Sequence, residues 1–331
     1  MDAQHGDQAG PTVGDLGELE VLDRIVRRLP AGDPIVGPGD DCAVVAAPDG
    51  RFVVTTDMMV HGPDFRWAWS SPEDIGWKAA ATNLSDVAAM GARPTALVVA
   101  LAAPQDTPVT VLEGFADGLR AAVEALSPGC GVVGGDLSTS ATFTVSVTAT
   151  GDLGGRDAVL RTGARPGDVL AVSGELGRAA RGLARLFRDG VDAAGEPSRA
   201  ATVASGADSD PDVDSQRRPV PPIADGVRAA EAGATAMLDL SDGLAIDGGR
   251  LARASRVTLD LDPEAVPDRV ALHGGEDHGL LATFPGDARL PGGFRWIGTV
   301  RERGAHDVLR GGEAVPTTGW DPYADWDGAA G

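Results

Sequence analysis

The chain has 331 residues, 49 acidic against 28 basic side chains, and a net charge of −21. The acids are 37 Asp and 12 Glu; the bases are 27 Arg and a single lysine, Lys78. That balance excludes a protein that coats nucleic acid, which needs clustered Lys and Arg, and the one lysine, preceded by Trp77, excludes a P-loop.

Two domains are expected from the length, and a hydrophobic fraction of 43% is ample for their cores. Residues 1–15 are polar and read as a disordered tail without a secretory signal. Leu19, Leu22, Ile25, Val26 and Leu29 then recur at helical spacing up to Pro30. Strand-like runs at Cys42–Ala47 and Phe52–Thr56 flank the turn Pro48-Asp49-Gly50, which predicts a hairpin. A helix is expected over 72–91. Ser71 would cap it, Pro72 fits its first position, Glu73 and Asp74 suit its positive end, and Gly91 closes it.

A strand over Thr95–Leu101, an amphipathic helix over 110–126 and an alternating strand over Thr142–Thr150 complete the first half. The glycine-rich stretch Gly151–Arg165 marks the boundary, giving domains 16–155 and 156–331. The second half predicts strands at Asp168–Ser173, Val257–Leu261, Gly279–Phe284 and Arg295–Thr299, and helices at 176–188, 223–232 and 243–254. Residues 189–217 have almost no apolar bulk and read as a mobile insertion. Hairpins mixed with helices predict an α+β fold of mixed sheets packed with helices rather than a doubly wound parallel sheet. No apolar run reaches the ~18 residues of a membrane span. Cys42 and Cys130 make no C-x-x-C pair, so a reduced cytoplasmic protein is the expectation.

The placement of the aspartates carries the chemistry. Gly39-Asp40-Asp41, Thr55-Thr56-Asp57, Gly134-Gly135-Asp136 and Asp239-Leu240-Ser241-Asp242-Gly243 read as corners at strand ends, where scaffolds present functional groups. Carboxylates beside hydroxyls and carbonyls are hard oxygen ligands suited to Mg²⁺. One such corner is no more than a turn; four together suggest metal. Asp86 shares a helix face with Asn83, and small Ala79 and Thr82 would let that helix approach a ligand closely. Lys78 on the same helix reads as a solvated side chain.

Two decoys fall away. Gly129-Cys130-Gly131-Val132-Val133-Gly134 matches G-x-G-x-x-G by letter but lacks the strand before and helix after that a dinucleotide needs. The five histidines show no zinc spacing and read as surface or turn residues.

The segments GPGDDCAVV (37–45), VTTDMMVHGPDF (54–65), GWKAAATNLSDVAAMGARPTALVVAL (76–101), VVGGD (132–136), LRTGARPGD (160–168), MLDLSDGLAID (237–247), GGEDHGLLATF (274–284) and GW (319–320) occur in this order. Over roughly 16–323 the chain resembles the thiamine-monophosphate kinase family of the aminoimidazole ribonucleotide synthetase superfamily. The resemblance implies a two-domain architecture, a homodimer paired through N-terminal domains, and transfer of phosphate from ATP to thiamine monophosphate in a cleft holding several Mg²⁺ ions. Carried over by position, the metal ligands would be Asp41, Thr55, Thr56, Asp57, Asp86, Asp136, Asp239 and Asp242, with Asp40 beside them. Gly135, Asp136, Arg161, Ser241 and Phe115 would contact ATP. Glu276 and Trp320 would contact the thiamine moiety, together with position 64. There the family usually has His before Phe, and this chain has Asp64. It also has His278-Gly279 where the family usually has Tyr-Glu.

An acceptor that is itself a phosphate, with a second pKa near ~6, needs no strong general base; the task is positioning and charge neutralisation. No catalytic base is therefore expected. Two other readings stay open: another ATP-dependent synthetase of the superfamily, or a Mg-nucleotide-binding protein that has lost acceptor chemistry.

Overall fold

A computed structural model describes residues 10–16, 18–35 and 45–318. The first half runs α1 (Val13–Leu16), α2 (Glu18–Val26), β1 (Val53–Val60), α3 (Pro72–Ala89), β2 (Arg93–Ala103), α4 (Val109–Leu126), β3 (Gly131–Thr139) and β4 (Thr144–Asp152). The second runs β5 (Val169–Ser173), α5 (Arg178–Asp189), α6 (Arg199–Ala204), α7 (Pro211–Arg217), α8 (Ile223–Glu231), β6 (Ala236–Leu240), α9 (Leu244–Ser255), β7 (Val257–Leu261), α10 (Arg269–His273), β8 (Gly279–Phe284), β9 (Phe294–Glu302), β10 (Val308–Arg310) and β11 (Glu313–Ala314). The chain passes from a four-stranded sheet, order β1-β4-β2-β3, to a seven-stranded sheet, order β11-β10-β7-β9-β5-β8-β6. Both are mixed: β2 pairs parallel with β3, and β7 with β10, while the other neighbours run antiparallel.

The helix α3 organises the molecule. Its start is a capping box: the Asp74 amide donates to the Ser71 hydroxyl, and the Ser71 amide donates to the Asp74 carboxylate. Gly91 at φ +73° turns the chain away after its last turn. Between them lie Ala79, Ala80, Ala81, Leu84, Val87 and Ala88, all nearly inaccessible. The small residues bring backbones together. A Cβ on Gly76 would lie 2.0 Å from the Phe115 carbonyl oxygen of α4, and one on Gly226 of α8 2.0 Å from the Ala88 carbonyl oxygen. Helix α3 thus packs against both halves of the chain, and the larger core joins Leu84, Val87 and Phe115 to Met237, Leu280 and Phe284. Gly76→Ala is expected to destabilise the fold by about 2–3 kcal/mol, because neither backbone can yield without parting α3 from α4. Denaturant unfolding measures this, and an unchanged midpoint would contradict the close approach.

Alternate residues of the four-stranded sheet turn to α3 and α4. The opposite face carries Val54 and Met58, each 61% exposed, and Val98, 41% exposed. The seven-stranded sheet holds a second core around Leu170, Leu244, Leu251, Leu259 and Ile297. No helix of the described residues is long and apolar enough to cross a membrane.

Several expectations need correction. Strand β1 continues to Val60, so Asp57 lies within a strand and not at its end. Asp136 likewise lies inside β3, and Asp239 inside β6. The first strand of the expected hairpin lies mostly outside the described residues; 45–47 are not strand. Of the expected N-terminal tail, residues 13–15 belong to α1, and the Val13 and Gly14 amides donate to the Thr107 and Gln105 carbonyls. Segment 189–217 is folded, not structureless. Ser198 caps α6, Asp210 caps α7, and a 3-10 turn joins them at Ala207–Ser209. Two of its few apolar side chains, Ala207 and Val213, are fully buried, Val213 beside Leu186 and Trp69, while Val203 is exposed.

Candidate active site

The site gathers where α3 crosses β1 and meets the end of β6. On β1, Thr55 and Asp57 face α3. The Thr55 hydroxyl donates to Asp86 Oδ2 at 2.7 Å, and the Asp57 amide donates to Asn83 Oδ1 at 3.1 Å. Asn83 is held in turn by its amide donating to the Ala79 carbonyl at 3.0 Å. The spacing of Asn83 and Asp86 on one face of α3 therefore does present both groups to β1.

The seven-stranded sheet supplies the opposing wall. Asp239 is the penultimate residue of β6, and the turn after Leu240 carries Ser241 and Asp242 into α9. Asp247, in the first turn of α9, accepts from the amides of Asp242 and Gly243, at 2.9 and 3.1 Å, and so fixes that turn. Arg250 donates to both Asp242 and Asp247, at 2.6 Å each. Asp247 is pushed up to about 6 by its burial and by the neighbouring charges of Asp242 and Asp239, against the amide of Asp242 and Arg250. The segment 274–278 folds back on the same turn: the amides of Glu276 and His278 donate to the carbonyls of Ser241 and Leu240.

The two walls feel one another. Burial pushes the Asp86 carboxyl up to about 7, aided by the charges of Asp239 and Asp57 and opposed by the Thr55 hydroxyl. Asp57 is raised by the same causes: burial first, then Asp239, Glu276 and Asp242. Among the described residues no three His, Cys, Asp or Glu side chains converge on one ready-made metal position. The donors are nevertheless hard oxygens whose mutual repulsion a divalent cation would relieve, so they fit Mg²⁺ completed by phosphate oxygens and water.

Beside these carboxylates a cavity of about 260 Å³ opens between the halves, lined among others by Asp64, Arg66, Trp69, Lys78, Phe187 and Glu276. Asp64 Oδ2 accepts from the Val60 amide at 2.6 Å. Its carboxyl is raised by burial and by Glu276. Glu276, at φ +71°, pairs with Lys78. The Lys78 side chain is only 7% exposed, so the expectation of a solvated lysine is wrong. Glu276 is held below the ordinary carboxylate range: burial works against ionisation, but Lys78 and His278 outweigh it. Arg66 lies over the rings of Trp69 and Phe187, which pack edge to face, its guanidinium carbon 4.9 and 5.0 Å from their centroids.

The remaining positions from the sequence separate. Gly135 shares a row with Asp57 across the sheet (Asp57, Val147, Val99, Gly135), three strand spacings or about 14 Å away. Asp136 is one row further, level with Ala100 on the sheet's open face, and exposed. Thr56 belongs to that open face too: its hydroxyl donates to the Val147 carbonyl and lies 3.2 Å from the Ser146 and Thr148 hydroxyls. Thr56 and Asp136 therefore stand on the opposite side of the sheet from Thr55 and Asp57. Arg161 is exposed near the start of β6, where the Leu160 carbonyl accepts from the Met237 amide, whereas Ser241 follows the other end of that strand. Phe115 is a core residue, 3% exposed and edge-on to Phe143, with no face left for a nucleotide. Asp40, Asp41 and Trp320 lie outside the described residues.

Sequence reasoning missed Arg250, Asp247 and the burial of His278, which is 4% exposed beside Asp239 and not a surface histidine. Arg250 and Asp247 sit three apart on α9, a pairing legible from spacing. Nothing in the sequence marks His278 as buried.

The comparisons bear on the whole chain. Residues 39–153 match the family model of AIR synthase related protein, N-terminal domain. Solved hydrogenase maturation protein HypE in complex with ATP, 20% identical with a TM-score of 0.66, shares the fold. Fold and site together define an α+β protein of the AIR-synthase-related class. A thiamine-monophosphate kinase of Mycobacterium tuberculosis is 44% identical, the match covering 96% of this chain and 95% of the relative. That of Bacillus subtilis is 33% identical over 83% of this chain and 88% of its own. The crystal structure of the Stenotrophomonas maltophilia thiamine-monophosphate kinase is 32% identical, with a TM-score of 0.73, covering 91% of this chain and 98% of that one. A structure described as AaThiL complexed with AMPPCP and TMP has a TM-score of 0.69 at 30% identity, covering 92% of this chain and 96% of that one. The chain belongs to the thiamine-monophosphate kinase family.

Proposed function

We propose that the chain is an ATP-dependent kinase that phosphorylates thiamine monophosphate to thiamine diphosphate in thiamine diphosphate biosynthesis. The observation that carries this reading is the cavity of about 260 Å³ beside Glu276, opening next to the carboxylates of β1, α3 and β6, in a chain 44% identical to a member of this family. Asp64 and Glu276 place carboxylates on the cavity wall among Arg66, Lys78 and Arg217, and Trp69 and Phe187 give it aromatic walls.

The acceptor oxygen is already anionic near neutral pH, so no side chain has to remove a proton. Thr55, Asp57, Asp86, Asp239 and Asp242 would hold Mg²⁺ on the α3 side of the sheet; Thr56 and Asp136, on its open face, stand apart from that set. Held by these residues, Mg²⁺ would supply neutralisation of the phosphate oxygens. Arg250 holds Asp242 in place, Asn83 fixes the β1 backbone at Asp57, and Ser241, in the turn between Asp239 and Asp242, would approach the nucleotide. A cytoplasmic setting fits the use of ATP. Incubation with ATP and thiamine monophosphate should yield thiamine diphosphate and ADP, with unphosphorylated thiamine inert. Phosphorylation of thiamine but not of its monophosphate would overturn the assignment.

The chain pairs as a homodimer through the open face of the four-stranded sheet. Support comes from Val54, Met58 and Val98, large apolar residues exposed together on that one face. Met58→Asp combined with Val98→Asp is expected to convert dimer to monomer in sedimentation velocity. A dimer that survives both charges would place the interface elsewhere.

A further inference from the structure

His278 stands where the two halves of the molecule touch. Its backbone is left-handed, φ +52°, a conformation uncommon outside glycine that His, like Asn and Asp, adopts more readily than most side chains. Three contacts hold it there. The His278 amide donates to the Leu240 carbonyl at 3.1 Å, next to Asp239 in the chain. The His278 carbonyl accepts from the Ser85 hydroxyl of α3 at 3.2 Å. The imidazole Nδ1 lies 3.5 Å from Asp239 Oδ2, while Nε2 is buried and has no hydrogen-bond partner among the described residues. Ser85 immediately precedes Asp86 on α3, so one residue ties the carboxylate of β6 to the helix turn that carries the carboxylate of α3.

We infer that His278 is a positioning residue: its Nδ1–H holds Asp239 in one orientation while its backbone anchors that strand end to α3, so that Asp239 meets Asp57 and Asp86 with a defined geometry. The inference rests on the reading above in which Asp239 holds the metal of the nucleotide. Residues hydrogen-bonded to metal-ligating carboxylates typically change metal affinity by about 10–100-fold when removed.

The side chains that separate this role from a structural one are Asn, Gln and Gly. Asn places its amide nitrogen near the position of Nδ1 and tolerates the left-handed backbone. Gln places its nitrogen near Nε2 and loses Asp239. Gly relaxes the backbone and removes the donor. Mn²⁺ binding is titrated by calorimetry with a non-hydrolysable ATP analogue present, alongside melting temperatures in EDTA. His278→Gln and His278→Gly are expected to weaken Mn²⁺ binding by about 10–100-fold, with His278→Asn close to the unsubstituted protein. Mn²⁺ binding undiminished in the Gln and Gly variants would overturn the inference, as would an Asn variant as weak as the Gly variant. Asp239→Asn is the control. If it binds Mn²⁺ normally, the metal reading itself fails and the inference with it. If it binds poorly while the Gln and Gly variants bind normally, the inference about His278 alone fails.

Discussion

Asp86→Asn is expected to raise the melting temperature of the metal-free protein at pH 8 while cutting turnover by about a thousandfold, the scale on which a lost transition-state contact acts. The two effects share one cause. Burial, then the charges of Asp239 and Asp57, push the Asp86 carboxyl up to about 7. Its folded value thus lies above its unfolded value of 3.8. A group raised in this sense favours the folded state in its protonated form, fully below the unfolded value, and that contribution is lost as pH rises through about 7. Asp57 and Asp64 are raised in the same direction. The protein in EDTA should therefore melt at progressively lower temperature from pH 5 to pH 8. The Asn variant should show a shallower slope, because it has one fewer carboxylate to ionise. Mg²⁺ with nucleotide should restore the lost stability to the unsubstituted protein and much less to the variant. Equal slopes in the two proteins, or near-normal turnover in the variant, would remove Asp86 from the site.

Glu276→Ala should damage stability and acceptor use together. Lys78 is buried, and truncating its partner leaves an ammonium with its charge uncompensated, a loss of about 3 kcal/mol. The same change removes a carboxylate from the cavity wall, and kcat/KM for thiamine monophosphate should fall about a hundredfold. A double substitution separates the effects. Lys78→Met with Glu276→Leu removes both charges and fills the volume, so most stability returns, but acceptor use does not. If the double variant regains turnover, the cavity wall at Glu276 does not contact the acceptor. Steady-state kinetics with the acceptor varied, paired with denaturant melts, reads both quantities.

Much of this arrangement was legible before the structure, for reasons that differ by residue. The start of α3 was readable because Ser71, Pro72 and Asp74 act through local bonds. Strands Val257–Leu261 and Gly279–Phe284 were readable because their apolar runs are short and sharply bounded. The insertion was not, because its folding uses few apolar side chains. Arg178 and Arg181 both meet Asp212, Arg199 and Arg217 both meet Asp208, and Arg185 meets Asp210. Periodicity detects apolar stripes and is blind to such pairings. The separation of Thr56 and Asp136 from Thr55 and Asp57 was also hidden. Neighbours in a strand point to opposite faces, so adjacent threonines in one motif serve opposite sides of the sheet. A motif quoted as a string reports order along the chain and says nothing about which face each letter occupies.

Lys78 has a practical corollary. It is the chain's only lysine, and it is shut away against Glu276 at the edge of the cavity. Apart from the amino terminus, an acylating reagent that attacks amines has no other target. The extent of labelling at this nitrogen, read on the peptide that carries Lys78 and so apart from the amino terminus, therefore reports its access from the cavity. A ligand seated there should slow the labelling in proportion to its occupancy. The protein carries its own footprinting probe, with no engineered tag required.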